Sequence, residues 1–301
     1  MTGNSDILLV GGMGYIGSYL AERLTAEGQR FDICDLGWRG FPAGQTLFRQ
    51  DYATLTPETL ARYRLVFWFG GHSSVGAALR DPQGALTNNC VHLLSLRRAM
   101  RPDATLVYAS TGSLYSRPAP VGAAEEVGES REDDRIVADT NSYDISKFCF
   151  DYMAQGFLTK FIGLRLGTVS GYSPNLRQEL IFNAMNLSAI RDKRVRLANP
   201  KAARSILFLS DLFKVVRVCI DRPDLPDGFY NLASVTQTVG EIARSIARFH
   251  DVPVEPIPDT LTYSFRLSTQ KARETFGITF DDDIAGQCAL FRDIAVRSSA
   301  E

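Results

Sequence analysis

Through the first 170 residues, short unbroken apolar runs alternate with stretches whose apolar positions recur at helical spacing. Ile7-Leu8-Leu9-Val10 reads as a buried strand ending in glycines, and Tyr15 to Glu27 as a helix with Ile16, Leu20 and Leu24 on one face. Phe31 to Cys34 is a second short strand, Leu65 to Phe69 an almost wholly apolar one, and Thr105 to Ala109 another. Between the last two, Ala85 to Met100 has a helical pattern; Ser142 to Leu158 is a further helix, followed by a strand at Phe161 to Leu166. Continuous apolar strands, rather than alternating ones, suit a parallel sheet covered on both faces. Strands alternating with helices imply right-handed βαβ units, so the pattern predicts an α/β fold with a doubly wound parallel sheet.

Two stretches depart from this rhythm. Pro118 to Asp139 is rich in Gly, Glu, Asp and Arg and reads as a solvated surface connector. Beyond about residue 170 the elements become mixed: a turn at Gly171 to Asn175, helices at Leu180 to Ile190 and from Ser210 to Cys219, a strand at Val195 to Ala198, and short elements among Pro253, Pro256 and Pro258. The expected division is a nucleotide-binding Rossmann part, 1–170, and a smaller mixed α/β substrate-binding part, 171–301, with some of its elements returning to the first sheet.

Composition narrows the function classes. The 301 residues carry 33 Lys+Arg against 34 Asp+Glu, a net charge of −1, which argues against a nucleic-acid binder working through a broad basic surface. Hydrophobic residues at 45% are ordinary for a globular chain, and no apolar run approaches the ~20 residues of a membrane helix. The polar start, Met1 to Asp6, lacks the basic region of a secretory signal. Cys34, Cys90, Cys149, Cys219 and Cys288 are dispersed and odd in number, which suits free thiols in a reducing, cytoplasmic setting better than disulfides or zinc. Asp281-Asp282-Asp283 reads as a turn or helix start, and no metal site is expected.

Gly11, Gly14 and Gly17 follow the first strand and open the first helix. One glycine makes the tight turn, one lets backbone approach a pyrophosphate, and one lets the helix pack close to the sheet, while the helix N-terminus holds the anion. The Gly-x-x-Gly-x-x-Gly spacing differs from the commoner Gly-x-Gly-x-x-Gly form, and glycines serving turn geometry alone are the alternative. Asp35 ends the second strand, where a carboxylate takes both hydroxyls of the adenosine ribose. A 2′-phosphate would repel it, which favours NAD over NADP, although Arg39 nearby can soften that choice; a turn or capping aspartate is the other reading.

Tyr143 and Lys147 lie four apart on a predicted helix and share a face. A lysine ammonium near a tyrosine favours tyrosinate, which can remove the proton of a substrate hydroxyl as hydride leaves its carbon. By itself the spacing is more often that of an exposed helix pair. The context is the run Ala109-Ser-Thr111-Gly-Ser113-Leu-Tyr115 after an apolar strand, where a Thr111 hydroxyl can orient a substrate oxygen.

With these parts in this order, the sequence resembles the extended short-chain dehydrogenases/reductases, also called the NAD-dependent epimerase/dehydratase family. Val10-Gly-Gly-Met-Gly-Tyr15-Ile16-Gly17 resembles the family's cofactor turn, and Asp51 its adenine-contacting aspartate. Phe69-Gly70-Gly71, with Val75 and Asp81-Pro82 after it, resembles a segment lining the cofactor, and Asn89 falls on a helix asparagine. Leu164 to Gly171, Arg204 to Asp211, Tyr230-Asn231 and Ser268 to Ala272 are similar to further family segments.

The resemblance implies NAD as cofactor, Tyr143 as acid/base, Lys147 on the nicotinamide ribose and Thr111 as the catalytic hydroxyl. It implies a nucleotide-sugar substrate, with Thr111, Ser113, Thr168, Asn183 and Arg204 as its contacts, and a homodimer through the helices at 85–100 and 142–158. Val10 departs from a Thr, Thr168 from an Asn, and Gly70-Gly71 from Ala-Ala, the last suggesting more room near the nicotinamide. Family dehydratases carry Asp-Glu where this chain has Gly112-Ser113, which cannot ionise, so dehydration is disfavoured. What remains is epimerisation through a transient ketone, net oxidation or reduction by the same residues, or a non-catalytic NAD sensor; epimerisation is the preferred expectation. Trp38 and Trp68 read as packing or rim aromatics, Cys149 as a small buried residue, and His72 as a residue beside the cofactor strand.

Overall fold

A computed structural model describes residues 5–38, 46–119, 128–137, 141–260 and 262–297. Arg39 lies outside these. The chain divides into two compact units: one of residues 1–114, 137–165 and 216–230, the other of 115–136, 166–215 and 231–301.

The first unit is built on a seven-stranded sheet. Its strands are β1 (Ile7–Val10), β2 (Asp32–Asp35), β3 (Thr46–Arg49), β4 (Leu65–Trp68), β5 (Thr105–Thr111), β6 (Phe161–Leu166) and β7 (Gly228–Leu232), in the order β7-β6-β5-β4-β1-β2-β3. The run from β3 through β2, β1 and β4 to β5 is parallel, with Leu9 paired to Ile33 on one side and Phe67 on the other. The chain leaves β1 toward β2 and returns on the opposite side at β4. The strand order therefore reverses at β1, and ligands of such sheets bind at the carboxyl ends of the strands around that switch point. This is the doubly wound α/β sheet that the apolar pattern predicts.

Burial explains the unbroken apolar runs. Leu8, Val10, Val66, Trp68, Leu106 and Tyr108 pack with Leu93, Leu96, Phe150 and Ala154 on one side. The alternate residues Ile7, Leu9, Ile33 and Phe67 are equally buried, so both faces are covered. Helix α1 (Tyr15–Ala26) follows β1, α2 (His92–Ala99) precedes β5, and α3 (Ser142–Phe157) precedes β6. The helix expected over Ala85 to Met100 is not uniform: a short helix, Pro82–Leu86, runs into a π-helical turn, Thr87–Val91, before α2. Such wide turns concentrate at functional sites, and this one carries Asn89, whose amide is wholly buried. Cys149, expected to be buried, is partly exposed on α3.

The second unit has its own core, in which Phe182, Met185, Ile206, Phe208, Ile242, Ile246 and Phe291 pack together. Its main sheet pairs Ala203–Phe208 with the parallel strand Thr168–Ser170 and the antiparallel strand Val235–Thr238. The helix Val239–His250 starts with a capping box, Thr238 and Glu241 exchanging side-chain and backbone bonds. The charge-rich segment expected to be a plain connector contributes two short pairings here, Arg117–Ala119 with Thr262–Ser264 and Glu129–Ser130 with Arg266–Leu267. Backbone pairing is indifferent to the polar side chains that suggested a loop. Asp283 accepts from the Gly286 amide before the helix Ile284–Arg297, as a helix start should, and no cluster of metal-ligating side chains occurs among the described residues.

Candidate active site

The glycine turn after β1 is sterically closed to larger residues. Gly11 has φ +78°, and a Cβ there would lie 2.7 Å from the backbone of Phe69 and Gly70 at the end of β4. A Cβ on Gly17 would lie 2.1 Å from the Gly11 carbonyl oxygen, so α1 packs against its own entry turn. Gly14 occupies the N-cap of α1 and brings no side chain to the first-turn amides of Tyr15 and Ile16. A bare helix N-terminus at a sheet's switch point is suited to a pyrophosphate.

Asp35, at the end of β2, accepts the Met13 amide at 2.9 Å on one carboxylate oxygen and the Gly37 amide at 2.8 Å on the other. It thereby ties the glycine turn to the strand end where a ribose would lie. Each carboxylate oxygen has further acceptor capacity, so these bonds and ribose hydroxyls are compatible. Asp51 caps the next short helical turn through the Ala53 amide.

At the end of β4 the two glycines differ. A Cβ on Gly70 would meet nothing closer than 3.5 Å. Gly71 has φ +78°, and a Cβ there would lie 2.4 Å from Asn89 Oδ1 and 2.8 Å from the Trp68 ring. The second glycine thus reflects a left-handed backbone and a filled surrounding, not the added room expected from the sequence. Asn89 Nδ2 donates to the His72 carbonyl at 3.0 Å and to Ser146 Oγ at 2.9 Å. Its Oδ1 is buried without a hydrogen-bond partner among the described residues, a position at which a bound donor is favourable. His72 itself meets Asn88 at 3.2 Å and Asp81 at 3.4 Å. The narrow turn, the bare helix end, the carboxylate at β2 and this orphan acceptor together fit a bound dinucleotide.

Tyr143 and Lys147 stand one turn apart on α3, with Lys147 Nζ 5.9 Å from the Tyr143 ring centroid. Lys147 is buried, donates to the Ala109 carbonyl of β5 at 2.9 Å and lies 4.4 Å from the Trp68 ring centroid. Burial pushes its ammonium down to about 7, against the opposing field of Asp151. Asp151, one turn farther along α3, accepts from Tyr108, Ser110 and Arg165 at 2.8–3.0 Å, and burial raises its carboxyl despite that arginine.

Thr111, the last residue of β5, is buried; its hydroxyl lies 2.7 Å from Ser113 Oγ and accepts the Ser113 amide at 3.2 Å. Ser113 Oγ in turn donates to Asp144, a carboxylate on α3 with 1% exposure. Sequence reasoning missed Asp144. Its one signal was its position as the third residue of the helix behind Asn141, which caps it.

The remaining sequence-derived residues lie in the second unit. Asn183 is buried, accepting the Gly171 amide at 3.0 Å and donating to the Arg177 carbonyl at 3.0 Å. Arg204 donates to Thr262 Oγ1 at 2.6 Å, and burial lowers its guanidinium to about 10, still charged at neutral pH. Thr168 is partly exposed and pairs with Ile206 at the start of its strand.

Among curated proteins, the UDP-glucose 4-epimerase of Corynebacterium glutamicum is 29% identical over 306 residues, covering 91% of this chain and 90% of that protein. The UDP-glucose 4-epimerase of Streptomyces lividans is 29% identical over 160 residues, a match spanning 50% of this chain and 46% of that protein. Among solved structures, MoeE5 in complex with UDP-glucose and NAD superposes with a TM-score of 0.82 at 20% identity, over 98% of this chain and 100% of that one. The profile of the NAD dependent epimerase/dehydratase family matches residues 7–233. The chain belongs to this NAD-dependent enzyme family.

Proposed function

We propose that the chain is a nucleotide-sugar 4-epimerase that works by transient removal of hydride from the sugar. The observation that supports this reading is the placement of Lys147, 5.9 Å from the Tyr143 ring centroid and bonded to the Ala109 carbonyl two residues before Thr111. The position on the sugar is supported by relatives that bear the name UDP-glucose 4-epimerase and match nearly the whole chain. NAD, when bound, supplies a reversible hydride acceptor.

The chain's own residues handle the proton and the pose. Gly11, Gly14, Tyr15, Ile16 and Gly17 hold the pyrophosphate, Asp35 the adenosine ribose and Asp51 the adenine. Phe69, Gly70 and Asn89 line the nicotinamide end. Tyr143 takes the proton of the sugar hydroxyl and returns it, and Lys147 binds the nicotinamide ribose and keeps the phenol acidic. Thr111 and Ser113 orient the reacting hydroxyl, while Thr168, Asn183 and Arg204 hold the remainder of the nucleotide sugar, Arg204 through charge on the diphosphate. Water elimination lacks its acid and base on Gly112 and Ser113.

The same reading includes a homodimer. Leu86 lies exposed just before the π turn and Val91 at its last position, and Ile145 and Tyr152 lie exposed on α3, with Tyr152 at 66%. Apolar residues exposed on neighbouring helices suit an interface. The free cysteines support a cytoplasmic site, and no helix among the described residues is long and apolar enough to cross a membrane.

The test is incubation with NAD and UDP-glucose, followed by proton NMR for sugar stereochemistry and by absorbance for reduced cofactor. The C4 epimer without accumulated reduced cofactor supports the reading. A ketone or acid with stoichiometric reduced cofactor identifies a dehydrogenase, and bound NAD without turnover a sensor. Tyr143→Phe should abolish turnover and leave NAD affinity nearly unchanged.

A further inference from the structure

Gly112 and Ser113 after Thr111 cannot ionise, yet the fold brings a carboxylate to Ser113. Asp144 Oδ1 accepts the Ser113 hydroxyl, and Oδ2 accepts Asn141 Nδ2 at 2.6 Å. The Asp144 amide donates to Asn141 Oδ1 at 2.9 Å, so the carboxylate is fixed in the first turn of α3 and stands behind Ser113. With both carboxylate oxygens engaged by Ser113 and Asn141, it reaches the strand end through Ser113.

The directions of these bonds follow from counting protons. A serine hydroxyl has one proton, and that of Ser113 is committed to Asp144, a carboxylate that can only accept. In the 2.7 Å bond between Thr111 and Ser113, Ser113 must therefore accept and Thr111 donate. Thr111 Oγ1 also accepts the Ser113 amide. Its proton and one lone pair are thus used, and one lone pair remains.

We propose that Asp144 is a positioning residue which, through Ser113, fixes Thr111 as a hydrogen-bond acceptor toward the substrate hydroxyl. This rests on the nucleotide-sugar reading above. A sugar hydroxyl that donates to Thr111 is satisfied, whereas a group that only accepts at the same carbon faces a lone pair. The site thereby distinguishes a hydroxyl from an isosteric acceptor before any chemistry occurs. Replacing Asp144 by Asn reverses the order: the new amide nitrogen donates to Ser113, Ser113 donates to Thr111, and the Thr111 proton turns to the substrate. The amide oxygen still accepts from Asn141, so the cap of α3 is kept.

The experiment measures dissociation constants by calorimetry in the NAD-loaded Tyr143→Phe protein, which prevents turnover. The probes are UDP-glucose and UDP-4-deoxy-4-fluoroglucose, whose fluorine accepts but cannot donate. With Asp144 present, the fluoro compound should bind more weakly. Adding Asp144→Asn should shrink the ratio by about five-fold, the worth of one net hydrogen bond, mainly by tightening the fluoro compound. Ser113→Ala, which leaves the cap untouched, should do the same by freeing the Thr111 proton, and in a Thr111→Val background neither change should have this effect. An unchanged ratio, or equal weakening of both probes, would overturn the inference and leave Asp144 only a partner of the Asn141 cap. Failure of both probes to bind the protein with Asp144 intact would overturn the nucleotide-sugar reading, and the inference with it.

Discussion

Lys147 Nζ lies 4.4 Å from the centroid of the ring of Trp68, the last residue of β4. The indole face is the negative side of the ring quadrupole and suits a cation. It does not replace the water that burial removes, and the ammonium is pushed down to about 7.

That shift has a consequence for stability. Between pH 7 and 10.5 the unfolded chain keeps a proton that folded Lys147 has released. The group therefore adds stability as pH rises through this window, and below it the full cost of burying the charge is present. Lys147→Met has no such group. Without cofactor, the unfolding free energy of the parent protein relative to the variant should rise with pH across the window, by up to about 1.4 kcal/mol per unit. Urea titrations at a series of pH values check this, and parallel pH dependences of the two proteins would contradict it. The variant should also lose turnover.

The paired glycines after β4 give a steric prediction. Gly71→Ala forces φ +78° on an L-residue and a 2.4 Å approach to Asn89 Oδ1. The backbone strain and overpacking together should cost about 2–4 kcal/mol. Gly70→Ala meets only ordinary contacts at 3.5 Å and should be nearly neutral. Thermal unfolding of the two variants side by side is the measurement, and equal losses would mean that Gly71 is not constrained as described.

Asp35 joins structure to cofactor choice. Asp35→Ala removes the acceptor for the Met13 and Gly37 amides, which should loosen the glycine turn at a cost of about 1–2 kcal/mol. It also removes the charge that repels a 2′-phosphate, so the ratio of NAD to NADP affinity should fall toward one. Fluorescence titration with both cofactors tests it; an unchanged ratio would remove Asp35 from the ribose.

Much of this was legible in the chain because burial on both faces leaves an unbroken apolar signature. Ile7–Val10 and Leu65–Trp68 announce interior strands of a parallel sheet, and glycines placed between strand and helix announce the turn. Spacing also placed Tyr143 and Lys147 on one face. What escaped was tertiary. The Asp144 carboxylate and the Ser113 hydroxyl it receives are 31 positions apart, and no local pattern joins them. The π turn around Asn89 carries no apolar period different from an α-helix over five residues, so the sequence gives one uninterrupted helix there. Gly71 was misread because an added Cβ is judged by its neighbours, and Asn89 and Trp68 are neighbours only in the fold.

The proposed dimer is tested by charge. Tyr152→Glu places a carboxylate at an exposed aromatic of α3. If this face is an interface, the parent protein should sediment as a dimer at micromolar concentration and the variant as a monomer. Identical sedimentation of the two as monomers would contradict the proposal.

The central claim is that hydrogen leaves C4 of a nucleotide sugar and comes back to the same sugar from the other face. Its most direct measurement follows UDP-glucose deuterated at C4 with NAD-loaded protein, by NMR and mass spectrometry. The account predicts UDP-galactose that keeps the deuterium at C4, with no label in free cofactor and no product from Tyr143→Phe. Deuterium lost from C4 with a ketone product, an acid product that keeps the glucose configuration at C4, or UDP-glucose returned unchanged would contradict it.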